Sequence, residues 1–255
     1  MTTTHFSLTA LPGLPDVIAG DDIGSLLLGA LDQAGLGLQA GDVLAIAQKI
    51  VSKAEGRLVD LADVEPGEYA ARLAEQVGKD PRLMELILRE SEEVSRLRPG
   101  VVIVRHRLGF TSANAGIDRS NVGPDGEERV LLLPLDPDAS ARHIRETIAA
   151  ARGVDVGVVI TDSHGRPFRL GTVGVAIGVA GLPALWDRRG EIDRYGYRLQ
   201  HTDVGVADEI AAAAGLLMGQ AAEGLPAVLL RGLRLPPADG RATDLVRPKD
   251  LDLYR

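Results

Sequence analysis

Val158-Val-Ile160-Thr161-Asp162-Ser163-His164-Gly165-Arg166 is the stretch whose reading decides the fold. A short apolar, β-branched run that stops at small polar residues has the pattern of a buried strand. A strand is therefore predicted over 156–160, carrying Asp162 at its C-terminal tip between the hydroxyls of Thr161 and Ser163. Working outward, Asp136-Pro137-Asp138 opens a helix over 139–151, and the Gly- and Val-rich run 171–181 reads as a further strand. Helices are also predicted over 23–34 (capped by Asp21 or Asp22), 68–76 and 205–219. Asp80 as N-cap and Pro81 at the first helical position predict a helix over 82–97, with Leu83, Leu86, Leu88, Val94 and Leu97 on one face. Strands are predicted over 43–47, 101–104, 130–133 and 227–230.

Helices and strands thus alternate irregularly. The class is α+β: mixed sheets with flanking helices. One domain is expected over 1–235, open to division into two intimately associated subdomains, with a polar, proline-bearing C-terminal tail over 236–255. No internal repeat or low-complexity segment interrupts it.

Composition narrows the function. The 255 residues carry a net charge of −8, which argues against a nucleic-acid partner. With no cysteine, disulfides and thiolate chemistry are excluded. Aromatic residues are 3% of the chain, so the core must be built from Leu, Val, Ile and Ala. Neither a signal peptide nor a membrane span is visible, which makes the cytoplasm the expected compartment. There is no phosphate-loop motif and no Gly-x-Ser-x-Gly elbow. Gly35-Leu-Gly37-Leu-Gln-Ala40 follows a helix and precedes a strand, the reverse of a Rossmann unit.

A second segment, Ser112-Ala-Asn114-Ala-Gly116-Ile-Asp118-Arg-Ser120-Asn121-Val-Gly123, is too rich in Gly, Asn and Ser for a regular element and reads as a loop in close approach to a ligand. Asp118 and Asp162 could together hold a hard divalent cation, with Ser163 adding a hydroxyl oxygen. Lys49 and Lys53 flank a small-residue turn after a strand and could reach phosphates; Arg166 and Arg169 could grip an acidic substrate. Each has an ordinary alternative: turn-capping aspartates, solvated lysines, and arginines paired with surface acids.

These segments resemble the signature regions of the coenzyme F-420-0:gamma-glutamyl ligase family. The resemblance extends to Gly41-Asp-Val-Leu-Ala-Ile-Ala-Gln48-Lys49-Ile-Val-Ser52-Lys53-Ala-Glu55-Gly56-Arg57, to Thr202-Asp-Val-Gly-Val-Ala-Asp208-Glu209, and to Arg241-Ala-Thr-Asp244-Leu-Val-Arg247-Pro248, in order along nearly the whole chain. It implies a family-specific fold and a GTP-dependent ligase that joins L-glutamate to the deazaflavin coenzyme F-420-0 through a phosphorylated carboxylate. It implies Mg or Mn on Asp118, Asp162 and Ser163, which puts Asp118 and Asp162 at the reacting centre; Arg166 is added there from the residues themselves, as a grip on a substrate anion. The GTP site it implies comprises Gly13, Leu14, Pro15, Asp16, Gln48, Lys53, Asn121, and Met218, Gly219, Gln220, Ala221, Ala222, Glu223, Gly224 and Leu225. Gln48 and Ser163 depart from the serine and threonine common at those positions. A homodimer is implied too. Some relatives carry a further flavin-reductase-like domain, which this chain is not expected to have. Two other readings stand beside it: a metal-dependent phosphohydrolase using the same aspartates with water as acceptor, and a non-catalytic module binding the deazaflavin or a nucleotide.

Overall fold

A computed structural model describes residues 5–123 and 128–252. Its centre is a five-stranded mixed sheet built from β1 (Ser7–Ala10), β2 (Val43–Ala47), β8 (Gly157–Arg166), β9 (Arg169–Ala180) and β12 (Ala227–Arg231), in the order β1-β12-β2-β8-β9. Only β2 and β8 run parallel. Their sequences are continuously apolar because both faces are covered. Leu44, Ile46, Val158 and Ile160 face α1 (Ile23–Gln33) and α5 (Pro137–Arg152). Val43, Ala45 and Val159 face α6 (Val206–Met218).

The flanking helices start where local chemistry starts them. Asp22 accepts the amide of Ser25 at 2.8 Å to cap α1. Asp136 caps α5 through Ala139 at 2.9 Å, with Pro137 at the first helical position. The glycines of β9 let both helices close in. A Cβ on Gly174 would lie 2.4 Å from the Ala211 carbonyl of α6, and one on Gly178 would lie 2.4 Å from the Pro137 carbonyl of α5.

Between β2 and α5 the chain builds a second core. It contains α2 (Gln48–Ala54), β3 (Leu58–Asp60), α3 (Glu68–Val77), α4 (Pro81–Arg89), β4 (Ser91–Arg98), β5 (Val101–His106), β6 (Thr111–Ala113) and β7 (Arg129–Leu131). β4, β5 and β6 form one antiparallel sheet, and β3 pairs with β7. Leu73, Val77, Met84 and Ile87 of α3 and α4 pack on Val102 and Val104 of β5. The remaining elements are a short ribbon of β10 (Trp186–Asp187) and β11 (Asp203–Val204), and 3-10 turns in the tail. The tail is pinned where Asp239 accepts the Gly181 amide at 2.7 Å and Lys249 meets Glu93 at 2.9 Å. The α+β class holds.

Three local expectations are corrected. The helix expected over 82–97 stops at Arg89, and Ser91–Arg98 is strand β4. Register shifts at 91/93 and 94/96 leave Glu92 and Ser95 without opposed partners on β5. These bulges turn the inward period from two into three, so Ser91, Val94 and Leu97 imitate a helical face. Pro99-Gly100 closes the hairpin, with Gly100 at φ +78° as a type II turn requires. Second, Asp162 is not a strand tip. The parallel ladder with β2 ends at Thr161, but antiparallel pairing with β9 carries β8 on to Arg166. Third, the segment bearing Lys49 and Lys53 is not a turn but helix α2, anchored by buried Ile50 and Val51.

Candidate functional site

The parallel ladder of β2 and β8 ends at Ala47 and Thr161, and the next residue of each, Gln48 and Asp162, opens into one cavity of about 1620 Å³. Ligands of α/β sheets gather at the carboxyl ends of parallel strands, where the chains diverge. The second core supplies the facing wall through β6 and the loop bearing Asp118. That loop is held in an unusual backbone: Asn114, Ala115 and Gly116 all have positive φ, at +51°, +56° and +64°. Asn114 secures it by accepting the Val102 amide at 3.2 Å. Asp118 itself exchanges backbone hydrogen bonds with Leu131 at 3.0 and 2.9 Å. A glycine is needed at 116, because a Cβ would lie 2.8 Å from the side chain of Leu133.

The two carboxylates approach each other across this gap, each with its own donors. Gln48 donates from Nε2 to Asp118 Oδ2 at 2.7 Å, and the Lys49 ammonium pairs with the same oxygen. Asp162 Oδ2 lies 3.0 Å from Nε2 of His164. Burial pushes the Asp118 carboxyl above its ordinary range; Lys49 opposes this and the nearby charge of Asp162 adds to it. Burial pushes Asp162 up as well, but His164, the Ser163 amide and Lys49 outweigh it and hold Asp162 low. One lysine thus serves two half-buried carboxylates, and beyond it, among the described residues, only His164 contacts the pair with a chargeable group. A divalent cation would supply further positive charge. Among the described residues no group of three or more His, Cys, Asp or Glu forms a protein-only cage. Two carboxylates plus a hydroxyl, with remaining positions left to water and phosphate, is a donor set that suits Mg or Mn.

Every site residue singled out in the sequence lines this cavity except Gly13. Gly13 instead makes the turn before the lining residues Leu14, Pro15 and Asp16, with φ +80°. Lys53, in the last turn of α2, lies on the same wall. Asn121 donates from Nδ2 to the Ala221 carbonyl at 2.9 Å, tying the Asp118 loop to the segment 218–225. That segment leaves α6 through Gly219 and curls around Glu223, whose carboxylate accepts the Ala221 amide at 2.8 Å. Backbone N–H groups in this turn already hold an anion, which is what a phosphate would require of them. Ser163, Arg166 and Arg169 lie along the β8–β9 hairpin, where Arg166 donates to the Leu170 carbonyl at 3.1 Å.

Lys49, Ser52 and His164 were not singled out as partners of the carboxylates, yet they contact the site directly or through one neighbour. Signals for two of them exist. Gln48 and Ser52 are four apart, so a helix puts them on one face. Asp162 and His164 are two apart, so a strand that continues past 162 does the same. Which carboxylate Lys49 meets depends on long-range folding and has no local signal.

Comparison with known proteins gives a consistent result. The profile of the F420-0:Gamma-glutamyl ligase family matches residues 13–232. The chain is 50% identical over 254 residues to a coenzyme F420:L-glutamate ligase of Methanothermobacter thermautotrophicus, covering 98% of each chain. It is 49% identical to the protein of the same name from Methanopyrus kandleri, covering 92% of each. Against the one from Halobacterium salinarum it is 45% identical, over 96% of this chain and 94% of the relative.

Proposed function

The chain belongs to the F420-0:gamma-glutamyl ligase family, and from that premise we propose that it joins L-glutamate to coenzyme F-420-0 by a gamma-glutamyl amide bond at the expense of GTP. The observation that carries the reading is the convergence of Asp118, Asp162 and Lys49 on one cavity that is also lined by Lys53, Asn121 and the 218–225 turn. A cavity of about 1620 Å³ exceeds the usual 300–1,000 Å³ of a single-ligand pocket, so it has room for two substrates.

Amide formation from a carboxylate and an amine needs an activated carboxylate. In the proposed reaction the acceptor's carboxylate oxygen attacks the γ-phosphorus of GTP, and the bond to the bridging oxygen breaks to release GDP. Glutamate's amine then attacks the acyl carbon, phosphate leaves with the bonding electrons, and the nitrogen loses a proton. Mg or Mn on Asp118, Asp162 and Ser163 would neutralise phosphate charge when bound. In this reading Lys53 and the backbone amides near Ala221, which line the cavity, hold phosphates. In this reading Arg166 and Arg169, also in its lining, hold an anionic group of the acceptor or of glutamate. The same reading carries a homodimer in the cytoplasm. On the structural side, none of the helices among the described residues is long and apolar enough to cross a membrane.

Mass spectrometry of the deazaflavin after incubation with the protein, L-glutamate, Mg or Mn, and GTP or ATP tests this directly. Stepwise glutamyl mass gain with GTP alone is the expected result. GTP hydrolysis without mass gain would replace the ligase with a phosphohydrolase. Tight binding without either would make the chain a binding module.

A further inference from the structure

Gln48 stands where serine is common in the resembled family, and that family places this position in the nucleotide site. Its surroundings give it a different task. Gln48 is 1% exposed and Ser52 is wholly buried. The Ser52 hydroxyl donates to Gln48 Oε1 at 2.7 Å, and Gln48 Nε2 donates to Asp118 Oδ2 at 2.7 Å. Each end of the amide is engaged inside the protein. The carboxylate, which when ionised only accepts, takes the NH₂ end, and the Ser52 hydroxyl, free to donate, holds the Oε1 end. The two residues sit four apart in α2, and they reach across 70 residues of sequence to the Asp118 loop.

We propose that Gln48, oriented by Ser52, is a positioning residue that sets the Asp118 carboxylate for a divalent cation, and is not a nucleotide contact. The distinction from Lys49, which pairs with the same oxygen, is one of charge. An ammonium that holds a carboxylate also cancels the charge that attracts a cation. A neutral amide fixes the carboxylate's plane and leaves that charge available. Hydrogen-bond partners of metal-ligating carboxylates act in this way, and losing one typically costs 10–100-fold in metal affinity. The inference rests on the reading of Asp118 as a metal ligand.

The test is Mn²⁺ titration of the full chain, with free Mn²⁺ followed by electron paramagnetic resonance, alongside GDP binding measured without metal. In Gln48→Met, Mn²⁺ affinity is expected to fall roughly 10- to 100-fold while metal-free GDP affinity stays at the wild-type value. Ser52→Ala, the smaller change should Gln48→Met not fold, is expected to weaken Mn²⁺ in the same direction and leave GDP unchanged. Thermal melting establishes that each variant is folded. Lowered metal-free GDP affinity with wild-type Mn²⁺ affinity would overturn the proposal and make Gln48 a nucleotide contact. Wild-type values for both ligands would overturn it too. Asp118→Asn separates the underlying reading: if that variant keeps wild-type Mn²⁺ affinity, Asp118 is not a metal ligand and the premise itself is lost.

Discussion

His164 Nε2 lies 3.0 Å from Asp162 Oδ2, and the His164 ring in turn leans on Phe110 at 4.9 Å between centroids. Phe110 stacks on buried His106 at 5.2 Å. The carboxylate at the end of the parallel ladder is therefore braced from the second core, not only by its own strand. Asp162→Asn keeps the size and one accepting oxygen of the side chain but removes its charge. We expect it to abolish glutamyl transfer while leaving the melting curve close to wild type. Turnover at the wild-type rate would take Asp162 out of the mechanism.

Glu90 ties the second core to the strand–helix body. Arg57 and Arg107 contact it at 2.8 and 2.9 Å, and both arginines also hold carbonyls of the 133–135 segment. Burial alone would raise its carboxyl. Donation from these partners, with His106 close by, outweighs burial and pulls it down from 4.5 to about 2. A carboxyl lowered by folding stabilises the folded state above its unfolded pKa, and that stability is lost as pH falls through the folded value. The window here runs from about 4.5 down to about 2. The shift corresponds to roughly 3 kcal/mol. Denaturant unfolding of Glu90→Gln should be weaker than wild type at pH 6, with the gap narrowing below pH 4. A gap independent of pH would mean that the charge of Glu90 is not what stabilises the junction.

Phe168 occupies the second position of the Pro167-Phe168 hairpin turn at φ +59°, where glycine or asparagine is the ordinary choice. The residue is 93% exposed, so burial within the chain recovers little of the backbone cost. Left-handed backbone costs a residue with a side chain about 1–2 kcal/mol, and glycine gives back part of that as chain entropy. Phe168→Gly is expected to match wild-type stability or exceed it by up to about 1 kcal/mol, whereas the β-branched Phe168→Val should be less stable. Equal loss in both would show that the ring, not the backbone, governs the turn.

Gly178 is where α5 meets the sheet. A methyl group there would press on the backbone of Pro137 at 2.4 Å, which cannot rotate away as a side chain would. Gly178→Ala should cost about 1–3 kcal/mol of stability, read from chemical denaturation. Its site lies away from the cavity lining, so Mn²⁺ affinity of the folded variant should be unchanged. A neutral effect on stability would mean that α5 can shift without loss.

The sequence by itself determined most of the elements and singled out residues that line one cavity. Continuous apolar runs marked β2, β12 and the first half of β8. Asp22, Asp80 and Asp136 marked three helix starts, because capping is chemistry between near neighbours. The Gly- and Asn-rich loop pointed to Asp118, and the strand before it pointed to Asp162. What failed locally did so for a reason outside the local window. The inward period of β4 follows from bulges that exist only against β5. The length of β8 past Asp162 depends on β9 continuing where β2 stops. The partners of each carboxylate, Gln48 and Lys49 on Asp118 and His164 on Asp162, were decided only when the second core closed over the ends of the parallel strands. Local sequence sets backbone conformation through nearest neighbours. Whether a side chain 70 residues away arrives as an amide donor or an ammonium is set by packing.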